Sequence, residues 1–114
     1  AMPVIEIIPK VSDWFNYDAK YKVGGSDEIC PAQIDDTLKD DLHIQARRIY
    51  SALGCRDLAR IDFMQDDTSK DIFFLEINTI PGMTETSLAP KAAKADGLEF
   101  PNFINRLISE ALER

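Results

Sequence analysis

The segment that most constrains the fold is residues 58–78, which read LARIDFMQ, DDTSK and DIFFLEIN in succession. Two runs rich in β-branched and aromatic residues flank a short stretch of turn formers, the pattern of an antiparallel hairpin. A hairpin fixes faces as well as pairing, because strand side chains alternate. In the first strand Arg60, Asp62 and Met64 share one face, and Ala59, Ile61 and Phe63 the other. In the second strand Phe74, Glu76 and Asn78 share a face opposite Phe73, Leu75 and Ile77. A register symmetric about residue 69 sets Asp62 across from Glu76, Arg60 across from Asn78 and Met64 across from Phe74.

Two carboxylates directly across a ladder have Cβ atoms ~5 Å apart and repel. Two readings of this face are open. It is a half-exposed polar face with Arg60 neutralising the acids, or it is a cation site. Asp62, Glu76 and Asn78 offer oxygen ligands only, the set that suits a hard ion such as Mg²⁺. Arg60 beside them is a fixed cationic fork able to stabilise developing negative charge. The segment that follows, TIPGMTETS, tilts the balance towards the second reading. Pro81-Gly82 forces a turn and lets backbone come close to a ligand. Thr84, Thr86 and Ser87 then place hydroxyls and N–H groups just ahead of a helix, where carboxylate or phosphate oxygens bind.

The rest of the chain reads as one small domain of 114 residues. Residues 3–9 form a strand dense enough in apolar residues to be buried. It has no partner upstream, which suggests a piece of a larger sheet. Residues 10–33 have no sustained period and form a long ordered loop carrying Trp14, Phe15, Tyr17 and Tyr21. Residues 35–53 form a helix with Leu38, Leu42, Ala46, Ile49 and Leu53 as its apolar stripe and Gly54 as its stop. His43, the single histidine, falls on the outer side and is a poor candidate for a catalytic triad. A short helix spans 89–96 and ends at Gly97. Pro101 opens a last helix with Phe103, Ile104, Leu107, Ile108, Ala111 and Leu112 on one face. The fold class is α+β, mainly antiparallel sheet with helices packed on one face.

A net charge of −7 argues against a nucleic-acid surface. No apolar run approaches the ~20 residues of a membrane helix, and no secretory leader is evident. Cys30 and Cys55 match no zinc or redox spacing and read as small hydrophobes in a reducing compartment.

The string RIDFM…FLEINTIPGMTETSL, with FNYDAKY and CPA upstream, closely resembles the C-terminal part of D-alanine–D-alanine ligases, members of the ATP-grasp superfamily. The resemblance covers essentially the whole chain. It implies a cytoplasmic enzyme of peptidoglycan precursor synthesis that uses ATP to phosphorylate one D-alanine and joins the acyl phosphate to the amine of a second. Asp62, Glu76 and Asn78 match the family's ligands for Mg²⁺ or Mn²⁺, expected as two ions. Glu76 also matches a nucleotide contact. Arg60 matches the arginine that stabilises the acyl phosphate and the tetrahedral intermediate, and the Gly82 N–H matches an oxyanion donor. Ser87 and Leu88 match the site of the second substrate's carboxylate. Met64 matches a residue lining the nucleotide pocket. Lys20 and Tyr21 match a mobile lid within 10–33, Tyr21 in a catalytic position and Lys20 on the phosphates.

The resemblance also implies that residues 1–114 are the C-terminal subdomain only, with N-terminal and central domains as partners, a homodimer as the full-length state, and no ligase activity in this part alone. Ligases that join D-alanine to D-lactate or D-serine, and a non-catalytic ATP-grasp remnant that binds a partner, are the alternatives.

Overall fold

The structure, a computed structural model, describes residues 1–9 and 26–113. The expected lid residues Lys20 and Tyr21, and the aromatics Trp14, Phe15 and Tyr17, lie outside the described residues. In chain order the elements are β1 (Glu6–Pro9), β2 (Ser26–Ile29), α1 (Asp36–Ala52), β3 (Arg60–Gln65), β4 (Ile72–Asn78), α2 (Leu88–Ala95) and α3 (Phe100–Leu112). The strands form two separate two-stranded antiparallel sheets, β1–β2 and β3–β4. The α+β class stands.

The first sheet corrects two expectations. Residues 26–29, read as loop, are β2, and they supply the partner that β1 lacked upstream: Glu6 pairs with Ile29 and Ile8 with Asp27. The sequence SDEI carries one strong strand former, so its conformation comes from the partner rather than from propensity. β1 is shorter than 3–9, and Ile8 is 43% exposed rather than buried. The Ala32 N–H donates to the Val4 carbonyl at 2.8 Å, continuing the pairing beyond β2.

The helices begin and end where local chemistry dictates. Asp35 caps α1 by accepting the Leu38 N–H at 2.7 Å. Its C-terminus closes with Gly54 at φ +66°, the Gly54 N–H on the Ser51 carbonyl and the Cys55 N–H on that of Tyr50. The same paired closure ends α2 at Gly97, φ +92°, where Leu98 donates to Ala93 and Gly97 to Lys94. The closure also turns Leu98 back onto the core.

That core lies between α2 and α3. Ala89 and Ala93, one turn apart on α2, pack with Phe103 of α3, and Met2, Leu58, Met83, Leu98 and Leu107 surround them. The predicted apolar face of α3 is thus buried deeply only at Phe103, while Leu112 is 81% exposed.

In the hairpin the register from Arg60–Asn78 to Asp62–Glu76 is as expected. A β-bulge then shifts it: Phe63 pairs with Phe74 and Met64 with Phe73, leaving Leu75 without a partner. Met64 therefore faces Phe73, not Phe74. Phe74 changes sides to join Phe63, with ring centroids 6.2 Å apart in an edge-on arrangement. Phe63, Ile72 and Phe74 line a groove of about 280 Å³ with Asp41, Gln45 and Ile49 of α1. α1 thus attends one face of the hairpin and leaves Arg60, Asp62, Glu76 and Asn78 on the other.

Candidate active-site face and the glycine loop

The polar face of β3–β4 is built by ladder pairing. Asp62 and Glu76 are direct partners, and Arg60 and Asn78 are the next pair on the same face. Arg60 resolves the repulsion between the acids. Its Nε and Nη2 donate to the two oxygens of Asp62 at 3.0 and 3.1 Å, and Nη2 also lies 3.7 Å from Glu76 Oε1. The fork is bidentate, so it fixes the orientation of Asp62 as well as its charge. Both side chains are half-buried, whereas Glu76 is exposed. Asn78 Oδ1 accepts the Ile80 N–H at 2.9 Å, which turns the chain out of β4 and into the loop.

The loop is closed on itself by hydroxyls. Ser87 Oγ accepts the Thr84 N–H at 3.0 Å and lies 2.7 Å from Thr84 Oγ1, while the Ser87 N–H donates to the Thr84 carbonyl at 3.0 Å. Gly82 leaves room for this closure: a Cβ there would stand 3.0 Å from Ser87 Oγ, so the serine would have to give by a few tenths of an ångström. Ser87 is also the N-cap residue of α2, yet its side chain caps nothing. A capping hydroxyl engages the N–H of the second or third helical residue, and the third here is Pro90, which has none. The first N–H groups of a helix have no intrahelical partner and suit an anion.

The sequence-predicted residues therefore fall into two sets. Arg60, Asp62, Glu76 and Asn78 share one ladder face, with Met64 beyond them opposite Phe73. Gly82, Ser87 and Leu88 sit together at the turn into α2. Among the described residues no group of three His, Cys, Asp or Glu side chains is arranged for a metal. A cation at this face would rest on two carboxylates and an amide oxygen, with its other ligands supplied from outside. The donor chemistry fits a hard divalent ion, since each carboxylate oxygen bonded to Arg60 keeps a further lone pair.

Some features were missed. The ion pair between Lys91 and Glu28 ties α2 to β2, an association with no local signal. His43 is not on an open polar surface: it is half-buried, and its Nε2 donates to the Met2 carbonyl at 3.1 Å. Burial lowers its pKa, against that hydrogen bond, which raises it. Cys30 and Cys55 are free and half-buried, and burial pushes the Cys30 thiol up, with Lys91 opposing.

With this geometry in hand, the comparisons with known proteins are specific. The fold is shared with D-alanine–D-alanine ligases of the ATP-grasp class. A family model described as "D-ala D-ala ligase C-terminus" matches residues 1–109, and the chain belongs to that family. It is 45% identical to the D-alanine–D-alanine ligase of Desulfotalea psychrophila across 100% of this chain and 35% of that protein. It is 47% identical to the ligase of Syntrophobacter fumaroxidans across 99% of this chain and 36% of that one. The crystal structure of the Bacillus anthracis D-alanine–D-alanine ligase complexed with ATP superposes with a TM-score of 0.79 at 32% identity, covering 98% of this chain and 36% of that one. The chain thus spans about 35% of the length of the relatives it matches. Among the described residues no helix is long and apolar enough to cross a membrane.

Proposed function

We propose that this chain is the C-terminal catalytic part of a cytoplasmic, homodimeric ligase that joins two D-alanines at the expense of ATP for peptidoglycan precursors. N-terminal and central domains would complete its substrate and nucleotide sites. The observation that carries this reading is the direct pairing of Asp62 with Glu76, with Arg60 forked onto the first and close to the second. A stability-driven sheet has no use for facing carboxylates. A phosphoryl-transfer site does, because its task is to position and neutralise charge.

In this reading Asp62, Glu76 and Asn78 hold Mg²⁺ or Mn²⁺, as two ions, and Glu76 also contacts the nucleotide. The ions would neutralise the phosphate oxygens of ATP during transfer. Arg60 is the residue free of any metal role. Its planar fork, held by Asp62, presents positive charge where the acyl phosphate and then the tetrahedral intermediate accumulate negative charge. Gly82 offers its N–H to the developing oxyanion, and the bare Cα permits close approach. Ser87 and Leu88, at the open N-terminus of α2, receive the carboxylate of the second D-alanine. Met64 provides apolar lining for the nucleotide. Lys20 and Tyr21 belong to a lid that excludes water from the acyl phosphate.

The test is product formation. The whole protein, given D-alanine, ATP and Mg²⁺, releases phosphate in equal amount with D-alanyl-D-alanine, and residues 1–114 alone release none. Dipeptide formation by the isolated chain at an enzymatic rate, or phosphate release by the whole protein that ignores D-alanine, would refute it.

A further inference from the structure

The Ser87 hydroxyl carries a hydrogen-bonding pattern that bears on the acceptor site. A hydroxyl has one donor and two acceptor positions. The Thr84 N–H already fills one acceptor position of Ser87 Oγ at 3.0 Å. Thr84 Oγ1 stands 2.7 Å away on a second approach. When the Thr84 hydroxyl donates to Ser87, both lone pairs of Ser87 Oγ are used. Its proton then has nowhere to go but outward, to an acceptor that is not part of the loop. In the alternative arrangement Ser87 donates to Thr84, whose own proton turns to solvent or to Thr86 Oγ1 at 3.4 Å. A carboxylate placed beside Ser87 selects the first arrangement, because it needs a donor.

Two further observations are consistent with this arrangement. Ser87 does not spend its hydroxyl on capping α2, since the residue at the third helical position is Pro90. Gly82 leaves the room that Ser87 Oγ occupies, with a Cβ position only 3.0 Å from it. The direction of the side chain is therefore set by its two bonds to Thr84, in space that the bare Cα of Gly82 leaves open.

We propose that Thr84 is a positioning residue that commits the Ser87 hydroxyl to donate a hydrogen bond to the carboxylate of the second substrate. This rests on the acceptor role of Ser87 proposed above. Thr84 touches no substrate and acts through Ser87 alone.

The experiment uses the whole protein and the variants Thr84→Val, Thr84→Ser, Ser87→Ala and Thr84→Val/Ser87→Ala. Valine keeps the shape and the backbone N–H and removes only the hydroxyl. The KM of the second D-alanine site rises about tenfold in Thr84→Val, the effect of one charge-assisted hydrogen bond. The KM for ATP, kcat and the melting temperature stay at the wild-type values. Thr84→Ser restores the KM to within about twofold, and the double variant is no worse than Ser87→Ala, as expected of two residues acting through one bond.

A Thr84→Val enzyme with unchanged acceptor KM overturns the proposal, as does additivity of the two changes. A fall in melting temperature that accompanies the KM change, or an equal rise in KM for ATP, assigns Thr84 a structural role instead and also overturns it. Failure of the underlying reading looks different: Ser87→Ala itself then leaves the acceptor KM unchanged, or the wild-type protein forms no dipeptide.

Discussion

The β3–β4 hairpin and the α2–α3 pair are joined by one short loop, yet they are held together by different physics. Among the described residues the buried hydrophobics are Ala89, Ala92 and Ala93 of α2 and Phe103 of α3. The hairpin has none, and it exposes Phe73 at 55% along with Phe74 and Leu75. Its order comes from ladder bonds, from the Arg60 fork and from a turn in which Asp66 Oδ1 accepts the Thr68 and Ser69 N–H groups at 2.8 Å each. The helical pair has a small buried contact of its own, although Ile108 and Leu112 of α3 stay exposed. The hairpin presents paired charge on one face, where Glu76 stays exposed, and leaves the rings of Phe73 and Phe74 about half exposed. Groups that chemistry uses gather on the side that packing leaves open, and the loop of residues 79–87 carries Gly82 and Ser87 from one regime to the other.

The contrast can be broken first at its strongest point. Phe103→Ala in the 114-residue chain removes the largest buried side chain of the cluster, 4% exposed, and costs about 3–5 kcal/mol in urea unfolding. Phe73→Gln on the hairpin changes stability by less than about 0.5 kcal/mol. Equal losses would mean that hairpin and helices share one core.

A smaller effect is expected at the junction. Gly82→Ala places a methyl against Ser87 Oγ, whose position Thr84 holds, so the strain costs about 1–2 kcal/mol. In the whole protein the same change raises the acceptor KM. A neutral outcome in both would show that the loop has slack.

The smallest effect concerns the turn. Two backbone N–H groups, Ser69 foremost and then Thr68, hold the Asp66 carboxyl below the usual carboxylate range. A depressed folded-state value means that the contribution is present above the unfolded pKa of about 3.9 and is lost as pH falls through the folded value. Wild type should therefore exceed Asp66→Ala in urea midpoint at pH 6, and the gap should close as the pH is lowered below about 4. A gap that is constant with pH would remove the carboxylate from the account of the turn.

How much of this was legible follows the same division. The pairing of Asp62 with Glu76 could be read from alternation and turn position, because period-two geometry leaves few registers. Gly54 and Gly97 announced both helix ends, since only a residue at ease with positive φ closes a helix that way. The bulge at Leu75 could not be read. No glycine or composition shift marks it, although its effect is to bring Phe74 beside Phe63. β2 was hidden because SDEI is a strand only through its partner. The hydroxyl arrangement of Thr84 and Ser87 was visible as composition but not as geometry, since its bonds depend on a loop conformation that propensities do not determine. His43 was misplaced because its partner, the Met2 carbonyl, lies far away in sequence.

The central claim is that Asp62 and Glu76 face each other for chemistry rather than for stability, and one paired measurement tests it most directly. In the whole protein Asp62→Asn and Glu76→Gln are compared with wild type for ligase rate and for melting temperature. The bidentate bond from Arg60 to Asp62 is half-buried, so its loss offsets the relief of repulsion and keeps stability within about 1 kcal/mol of wild type. The rate falls by at least about 100-fold in each variant, the order of effect that disturbing a metal site produces. A rate near wild type in either variant, or unfolding in place of inactivation, would contradict the account.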